Sequence, residues 1–382
     1  MESLCINCAK DLNLISFINQ HGVTITECSI CNSKDVLAID QENHNIEQLI
    51  RALIRFNADE WDYNTHVGGD QLESFMISNK LIFSDLFYDH IDNSENFLCS
   101  VISNGYYDSD KGISLFYGHT DDGQIGGFLT AIKDSSSSKK NEIINLSKKL
   151  NYSELLESVA NTIEYCNQYI LTEPEKLKLY RARIGVKEEG YPLDEFDFRQ
   201  KKHFKPFEEK EIGAAPMEFV TKGRMNREGF SFLYLAEDYN TAIHEVRPSP
   251  GDYVSIGTFN QVKDLKIADF SKINIIDFCE NDDKLQIFEE LYDLNKFLSN
   301  PIGTNQGYQY LYTQLLSEEL IRRGYNGIKF ISSLTGLGNF AIFNPKYFEY
   351  DSTEKYVFQV NQFIVKYEKM EVMNNGRQYS IR

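Results

Sequence analysis

Apolar residues recur at two different spacings along the chain, and the change of spacing separates predicted helices from predicted strands. In Asn45–Ile54 they recur every three to four residues, which predicts an amphipathic helix whose first residue pairs with Gln48 in a capping box. A longer stripe of the same period predicts a helix over Tyr152–Ile170. Two later stripes predict helices over Leu285–Leu298 and Tyr308–Leu320.

Short apolar runs after Pro174 predict strands instead, because they are rich in β-branched and aromatic residues and are too short for helices. Asp238 is expected to cap a helix that carries Thr241–Val246 between two of these runs. Strands mixed with helices in this way predict an α+β domain over residues 176–382. The apolar runs that predict its strands are Leu179–Ile184, Phe230–Leu235, Tyr253–Phe259, Tyr325–Ile331, Phe340–Phe343 and Tyr356–Val360.

The start of the chain carries two CxxC pairs, Cys5 with Cys8 and Cys28 with Cys31, and 19 residues separate the pairs. Each pair can offer two thiolates from one tight turn, and four thiolates complete a tetrahedral site that favours zinc. The spacing therefore predicts a zinc ribbon over residues 1–40, with a structural Zn²⁺. A redox CxxC is the alternative, but it needs one pair only. The isolated Cys99, Cys166 and Cys279 are expected to be buried thiols.

Charge excludes some classes of partner. The formal net charge is −18, so phosphate backbones and anionic membranes repel the chain. The longest basic cluster, Arg199–Lys202, is short and is followed by Glu208 and Glu209. No run of about 18 apolar residues predicts a transmembrane helix, and the first residues lack the pattern of a secretion signal. We expect a cytoplasmic protein with reduced cysteines that binds neither nucleic acid nor membrane.

Three regularly spaced residues in the second half of the chain are the candidates for catalysis. Arg224 lies ten residues before Tyr234, and Glu245 lies eleven residues after it. Together with neighbouring sequence pieces, these three residues resemble the RES domain family over Leu179–Val360. The matching pieces are the Tyr-Arg strand at Tyr180 and Arg181, Gly-Arg-x-Asn-x-x-Gly at Gly223–Gly229, Leu-Tyr-Leu-Ala at Leu233–Ala236, Glu245, Gly-Tyr-Asn-Gly-Ile at Gly324–Ile328, and a serine followed by Asn339.

The resemblance implies a fold similar to the ADP-ribosyltransferases: a split, mostly antiparallel sheet with helices and a cleft for NAD⁺. Bacterial toxins of the RES family consume NAD⁺. The resemblance also implies that Ser332 contacts the substrate, with the adjacent Ser333 as the alternative. It further suggests substrate contacts for Asn226 and Asn339.

The chemistry of NAD⁺ fits the same residues. Nicotinamide is cationic while it is bonded in NAD⁺, and as it leaves, positive charge develops on the ribose, which the carboxylate of Glu245 can stabilise. A glutamate on a helix is in most proteins merely a solvated charge. Arg224 can bind the pyrophosphate bidentately, and Tyr234 can stack on nicotinamide or bind the ribose. Arg181 or Arg183 is a candidate for a second phosphate contact.

Residues 41–175 are expected to form a helical domain between the ribbon and the catalytic region. This organisation resembles the N-terminal regions of some RES proteins, which are related to HEPN helical bundles. HEPN nucleases carry an Arg and a His four to six residues apart, whereas ten residues separate Arg55 from His66, which argues against nuclease activity. We expect this domain to form a homodimer, sense a partner or shield the active site.

Three candidate functions follow, two of them enzymatic and the third from another class. The leading one is an NAD⁺-degrading toxin, a glycohydrolase or phosphorylase in a toxin-antitoxin or anti-phage defence setting, with an antitoxin or regulatory protein as a partner. The second is ADP-ribosyl transfer to a protein. The third is a zinc-ribbon binding module with an inactive RES domain.

Overall fold

In the structure of the protein, a computed structural model, the chain folds into two compact units. The first unit comprises Met1–Glu173, Lys222–Glu228 and Lys266–Ser333, and the second comprises Pro174–Thr221, Gly229–Leu265 and Leu334–Arg382. The structure describes residues 3–40, 43–63, 68–103, 130–134, 152–191, 201–299, 309–362 and 364. His66 and the start of the basic cluster at Arg199 lie outside these residues.

The described chain contains both helices and strands. The helices are α1 (Leu12–His21), α2 (His44–Asn57), α3 (Glu60–Tyr63), α4 (Leu72–Asn79), α5 (Asp85–Tyr88), α6 (Ile91–Ser103), α7 (Tyr152–Ile170), α8 (Tyr239–Val246), α9 (Asp282–Ser299) and α10 (Gln309–Arg322). The strands are β1 (Ser3–Cys5), β2 (Val23–Glu27), β3 (Lys34–Asp40), β4 (Leu171–Thr172), β5 (Lys178–Ile184), β6 (Glu188–Gly190), β7 (His203–Lys205), β8 (Leu233–Ala236), β9 (Tyr253–Gln261), β10 (Ile267–Asp269), β11 (Gly327–Ile331), β12 (Gly338–Ile342) and β13 (Phe348–Gln359).

The first unit begins with an antiparallel sheet in the order β1-β3-β2, and α1 connects its first two strands. The helices α2 to α7 follow. The predicted helix over Tyr152–Ile170 is confirmed as α7, and the two later amphipathic stripes are confirmed as α9 and α10. Later in this unit, β10 pairs in parallel with β11 and antiparallel with β4. No helix among the described residues is long and apolar enough to cross a membrane.

Two details of the first unit differ from the sequence prediction. The helix α2 is capped by Asn43, whose side chain accepts a hydrogen bond from the backbone N–H of Asn45, so the predicted capping box with Gln48 is wrong. Cys99 is exposed, not buried, because it lies on the outer side of α6, where its Sγ lies 3.6 Å from a carboxylate oxygen of Glu73. Cys166 and Cys279 are buried as predicted.

In the second unit, five strands pair in the order β13-β9-β5-β8-β12, every neighbouring pair is antiparallel, and β6 and β7 form a separate antiparallel pair. The predicted α+β class with a mostly antiparallel sheet is therefore confirmed. On one face, α8 packs against a small apolar core of Ala182, Ala236, Ala242, Val254 and Ile256. This packing fixes α8, and so Glu245, relative to β8 and β9.

The opposite face of this sheet is covered by the segment around Ile212, and Gly257 of β9 makes that contact close. A Cβ atom at Gly257 would lie 3.0 Å from Ile212 Cγ2 and 3.1 Å from Tyr350 Cε2. We expect Gly257→Ala to lower the free energy of unfolding by about 1–3 kcal/mol through overpacking. Urea unfolding measures this, with Gly190→Ala as the control because its Cβ would meet nothing within 4 Å. Equal stability of the two variants would contradict the packing argument.

Candidate active site and cysteine cluster

The carboxylate of Glu245 lies in the last turn of α8, where the sequence ends the helix sharply. Asp238 caps the first turn by accepting from the N–H of Thr241 at 2.7 Å. At the other end, Arg247 adopts a left-handed conformation with φ of 50° and Pro248 follows it, so α8 stops at Val246. The negative end of the helix dipole disfavours a carboxylate there. A compensating donor is therefore needed close to Glu245.

Asn339 supplies that donor from β12. Its Nδ2 donates to Glu245 Oε1 at 2.7 Å. Asn339 is buried, with 7% of its surface exposed, whereas Glu245 is exposed. A rigid buried amide thus holds an accessible carboxylate in one place, which is the arrangement that electrostatic stabilisation of a transition state requires.

Two further contacts attach α8 and its preceding turn to the chain just before Asn339. The carboxylate of Glu237 accepts from the N–H of Gly338 at 2.8 Å, and the hydroxyls of Thr241 and Thr335 lie 2.9 Å apart. The sequence analysis missed both contacts. The partners are 101 and 94 residues apart, so no local pattern could indicate them.

Tyr234 lies on β8 on the same side of the sheet as α8. It pairs with Ala341, and two residues later Ala236 pairs with Asn339. Residues two apart on a strand share a face, and directly opposite residues share it too. Since Ala236 packs against α8, the half-buried Tyr234 lies on the face that carries Asn339.

Arg181 and Arg183 lie on the other face of β5, because Tyr180 and Ala182 contribute to the core under α8. The Arg181 guanidinium donates to the carbonyl of Tyr234 at 2.9 Å, and burial lowers the pKa of Arg181 from its ordinary value. The Arg183 guanidinium lies 4.4 Å from the centre of the Phe207 ring and donates to the Glu211 carbonyl. Both side chains bind protein groups, and their role as phosphate contacts stays a prediction.

Arg224 and Asn226 lie in the Lys222–Glu228 segment, which belongs to the first unit. The amide of Gln314 on α10 donates to the carbonyls of Gly223 and Asn226, at 2.9 and 3.1 Å. The Arg224 guanidinium donates to the carbonyl of Leu298, in the last turn of α9, where helix carbonyls lack partners within the helix. This contact holds one nitrogen of the Arg224 guanidinium at the end of α9.

The other first-unit candidates differ in accessibility. Asn226 is buried, and its Nδ2 donates to the Arg227 carbonyl at 3.0 Å, which stabilises the turn locally. Ser332 and Ser333 follow β11 directly. Ser332 is buried, with 2% of its surface exposed, and Ser333 is exposed. Of the two serines, the alternative Ser333 is therefore more accessible to a substrate than the first choice, Ser332.

Comparison with known proteins identifies the second half of the chain. Residues 196–361 match the RES domain family model. This part of the chain is a RES domain. Among solved structures, the chain is similar to the M. tuberculosis MbcT-MbcA toxin-antitoxin complex, with 12% identity, coverage of 52% of this chain and 92% of that chain, and a TM-score of 0.30. A comparison with curated proteins gave no match.

The resemblance to the RES family that the sequence predicted is thus confirmed. The RES domain contains the Glu245–Asn339 contact, Tyr234, Arg224 and both serines, whereas Arg181 and Arg183 precede it. Every predicted catalytic residue therefore lies within the RES domain.

The cysteine cluster lies outside the RES domain, in the first unit. Its four Sγ atoms all lie within 4.8 Å of one another, and all four residues are buried. Hydrogen bonding to Cys28 and Cys5, together with burial, raises the pKa of Cys8, and the main cause that raises the pKa of Cys5 to about 12 is its hydrogen bond with Cys28. Hydrogen bonds from Cys5 and Cys8 lower the pKa of Cys28. The four sulfur atoms form the ligand set for a metal ion, and binding one would release the protons that Cys5 and Cys8 otherwise retain.

Proposed function

We propose that the RES domain degrades NAD⁺ by cleaving the bond between nicotinamide and ribose. The observation that supports this proposal is the Glu245 carboxylate, which is accessible, lies at the end of α8 and is hydrogen-bonded by the buried Asn339. As nicotinamide departs with the bonding electron pair, it becomes neutral and positive charge develops on the ribose. A carboxylate held beside the anomeric carbon or a ribose hydroxyl stabilises this charge more in the transition state than in the substrate.

The cost of placing Glu245 at the negative end of a helix is consistent with this role. A solvated surface glutamate would gain nothing from that position, because the helix dipole opposes it by about 0.3–1 kcal/mol. A glutamate required for the reaction can be kept there if a donor such as Asn339 offsets the dipole.

The roles proposed for the other residues follow from their chemistry. Arg224 binds the pyrophosphate, since a guanidinium matches phosphate oxygens with two parallel hydrogen bonds. Tyr234 stacks on the nicotinamide ring or donates to a ribose hydroxyl. Ser332, or Ser333 beside it, contacts the nicotinamide amide or the ribose.

The acceptor of the ADP-ribosyl group determines the reaction. With water, the products are ADP-ribose, nicotinamide and a proton. With inorganic phosphate, they are ADP-ribose 1-phosphate and nicotinamide. Loss of NAD⁺ stops growth, so we place the protein in a toxin-antitoxin or anti-phage defence system, with an antitoxin protein as its partner. The RES domain, whose family includes NAD⁺-consuming toxins, supports this setting.

Incubation of the purified protein with NAD⁺ tests the proposal. We expect free nicotinamide to appear with a matching loss of NAD⁺, and chromatography measures both. Added phosphate should yield ADP-ribose 1-phosphate if phosphorolysis operates, and ADP-ribose alone if hydrolysis does. Label from adenine-labelled NAD⁺ on a protein, at one per nicotinamide released, would instead indicate ADP-ribosyl transfer. No nicotinamide under any of these conditions would contradict the proposal and favour a binding module.

A further inference from the structure

The four cysteines at the start of the chain have the spacing of ligands around one tetrahedral ion. Sγ of Cys5 lies 3.5 Å from that of Cys31 and 3.6 Å from that of Cys8, and Sγ of Cys8 lies 3.9 Å from that of Cys28. Sulfur atoms at the corners of a tetrahedron, each about 2.3 Å from a central zinc ion, are about 3.8 Å apart. Four thiolates favour zinc over harder cations, and four protein ligands leave no position for a substrate.

The second cysteine pair has the turn that such a site needs. Asn32, directly after Cys31, adopts a left-handed conformation with φ of 58°, which asparagine tolerates better than most residues. Its N–H donates to the Cys28 carbonyl at 2.9 Å, and the N–H of Cys28 donates to the Ser33 carbonyl at 2.9 Å. The backbone thus holds both sulfur atoms of this pair on one side of the turn.

The backbone of both cysteine turns is hydrogen-bonded to the helical part of the first unit. From the first turn, the carbonyls of Asn7 and Cys8 accept from Oγ and N of Ser84, at 2.6 and 2.9 Å. From the second turn, the Ile30 carbonyl accepts from Nδ2 of Asn93 on α6, at 3.1 Å. Each half of the cysteine cluster therefore binds a different point of the segment from Ser84 to Asn93.

That segment carries an aromatic core of its own. Phe83 is fully buried and stacks on Phe87 with ring centres 4.1 Å apart, and Phe97 of α6 packs edge-on against both rings. The N–H groups of Lys10 and Asp11, just after the first cysteine turn, donate to the carbonyl of Ile82, at 3.0 and 2.9 Å. The same stretch of chain thus bonds to the cysteine turns and supplies the centre of the aromatic core.

The geometry points to a structural Zn²⁺ tetrathiolate whose function is to join the first 40 residues to the Ile82–Ser103 stretch. The ion holds the two cysteine turns together, and the turns hold Ser84 and Asn93. A chain of about 40 residues buries too little surface to fold alone, so the free energy of metal binding contributes to the folding of both parts. The cysteine region then anchors α5 and α6 and is not a separate domain.

Metal analysis and hydrogen exchange on the full-length protein test this inference. We expect about one zinc per chain and no iron. Removing the zinc with a mercurial thiol reagent should accelerate amide exchange on the order of tenfold in peptides from Ile82–Phe97, with no change in β9 of the second unit. Cys8→Ser should lose the zinc, whereas Cys99→Ser, on α6 but outside the cluster, should keep it.

A variant that leaves the ligands in place covers the case in which Cys8→Ser does not fold. Asn93→Ala should retain the zinc and still show faster exchange in Ile82–Phe97, because it removes the hydrogen bond from α6 to the second cysteine turn and leaves the N-cap of α5 at Ser84 in place. A protein without zinc, or with iron in its place, would overturn the assignment. Unchanged exchange in Ile82–Phe97, both after zinc removal and in Asn93→Ala, would overturn this joining role. Neither result depends on NAD⁺ cleavage.

Discussion

Replacing Glu245 with glutamine is expected to reduce the turnover of NAD⁺ by about 100- to 1000-fold, the effect typical of losing one stabilising group in a preorganised site. Glutamine has nearly the same shape, and its carbonyl oxygen can still accept from Nδ2 of Asn339. Local structure should therefore persist while the negative charge is lost. Nicotinamide release at saturating NAD⁺ measures the change in kcat, and thermal unfolding shows whether the fold is intact.

Glu218→Gln is the matched control, because Glu218 is another exposed glutamate of the RES domain. It removes the same charge from the same domain and should leave turnover within about twofold, as expected for a surface substitution. If Glu245→Gln retained the turnover of Glu218→Gln, Glu245 would have no catalytic role and the proposed mechanism would fail.

Local sequence patterns were enough to predict most of the regular structure. The apolar stripe of Tyr152–Ile170 has a helical period and ends before a proline, and α7 has the same bounds. The strands around Leu179, Tyr253 and Phe340 were also predicted, since each is a short run of β-branched and aromatic residues. Asp238 caps α8 as expected, because the capping contact spans only three residues.

Boundaries that depend on distant packing were harder to predict. The run Phe230–Leu235 predicted a strand, but β8 covers Leu233–Ala236, because only these residues pair with β12 or β5. Phe230 is exposed instead. The cap of α2 is Asn43 rather than Asn45 for a simpler reason: two asparagines near a helix start offer two caps, and sequence gives no preference between them.

In the candidate site, too, local features could be predicted and distant contacts could not. The residue types at Arg224, Tyr234 and Glu245 could be recognised from their order in the chain. The partner of Glu245 could not, because Asn339 is 94 residues away and reaches it only through the pairing of β8 with β12. The face on which Arg181 and Arg183 lie likewise became clear only once Ala182 was found in the core under α8.

Replacing Asn339 with aspartate is expected to lower NAD⁺ turnover by about 10- to 100-fold near pH 8, with less effect near pH 5. The substitution removes a hydrogen bond to a charged group, worth about 1.5–3 kcal/mol, and places a second carboxyl group where Nδ2 lay 2.7 Å from Glu245 Oε1. When two carboxyl groups lie this close, they share one proton, and the repulsion between two carboxylates raises the pKa at which that proton is lost. Below that pKa the shared proton replaces the lost donor, and above it two negative charges repel each other.

The ratio of variant to wild-type kcat should therefore fall as the pH rises, which a simple loss of stability would not produce. Asn339→Ala separates the two effects, since it removes the donor without adding a charge, and its ratio to the wild type should stay nearly constant with pH. Asn344→Asp is the charge control: Asn344 caps a short helix by accepting from the N–H of Lys346, and aspartate caps equally well. If Asn339→Asp showed the same flat pH profile as Asn344→Asp, Asn339 would not act through Glu245.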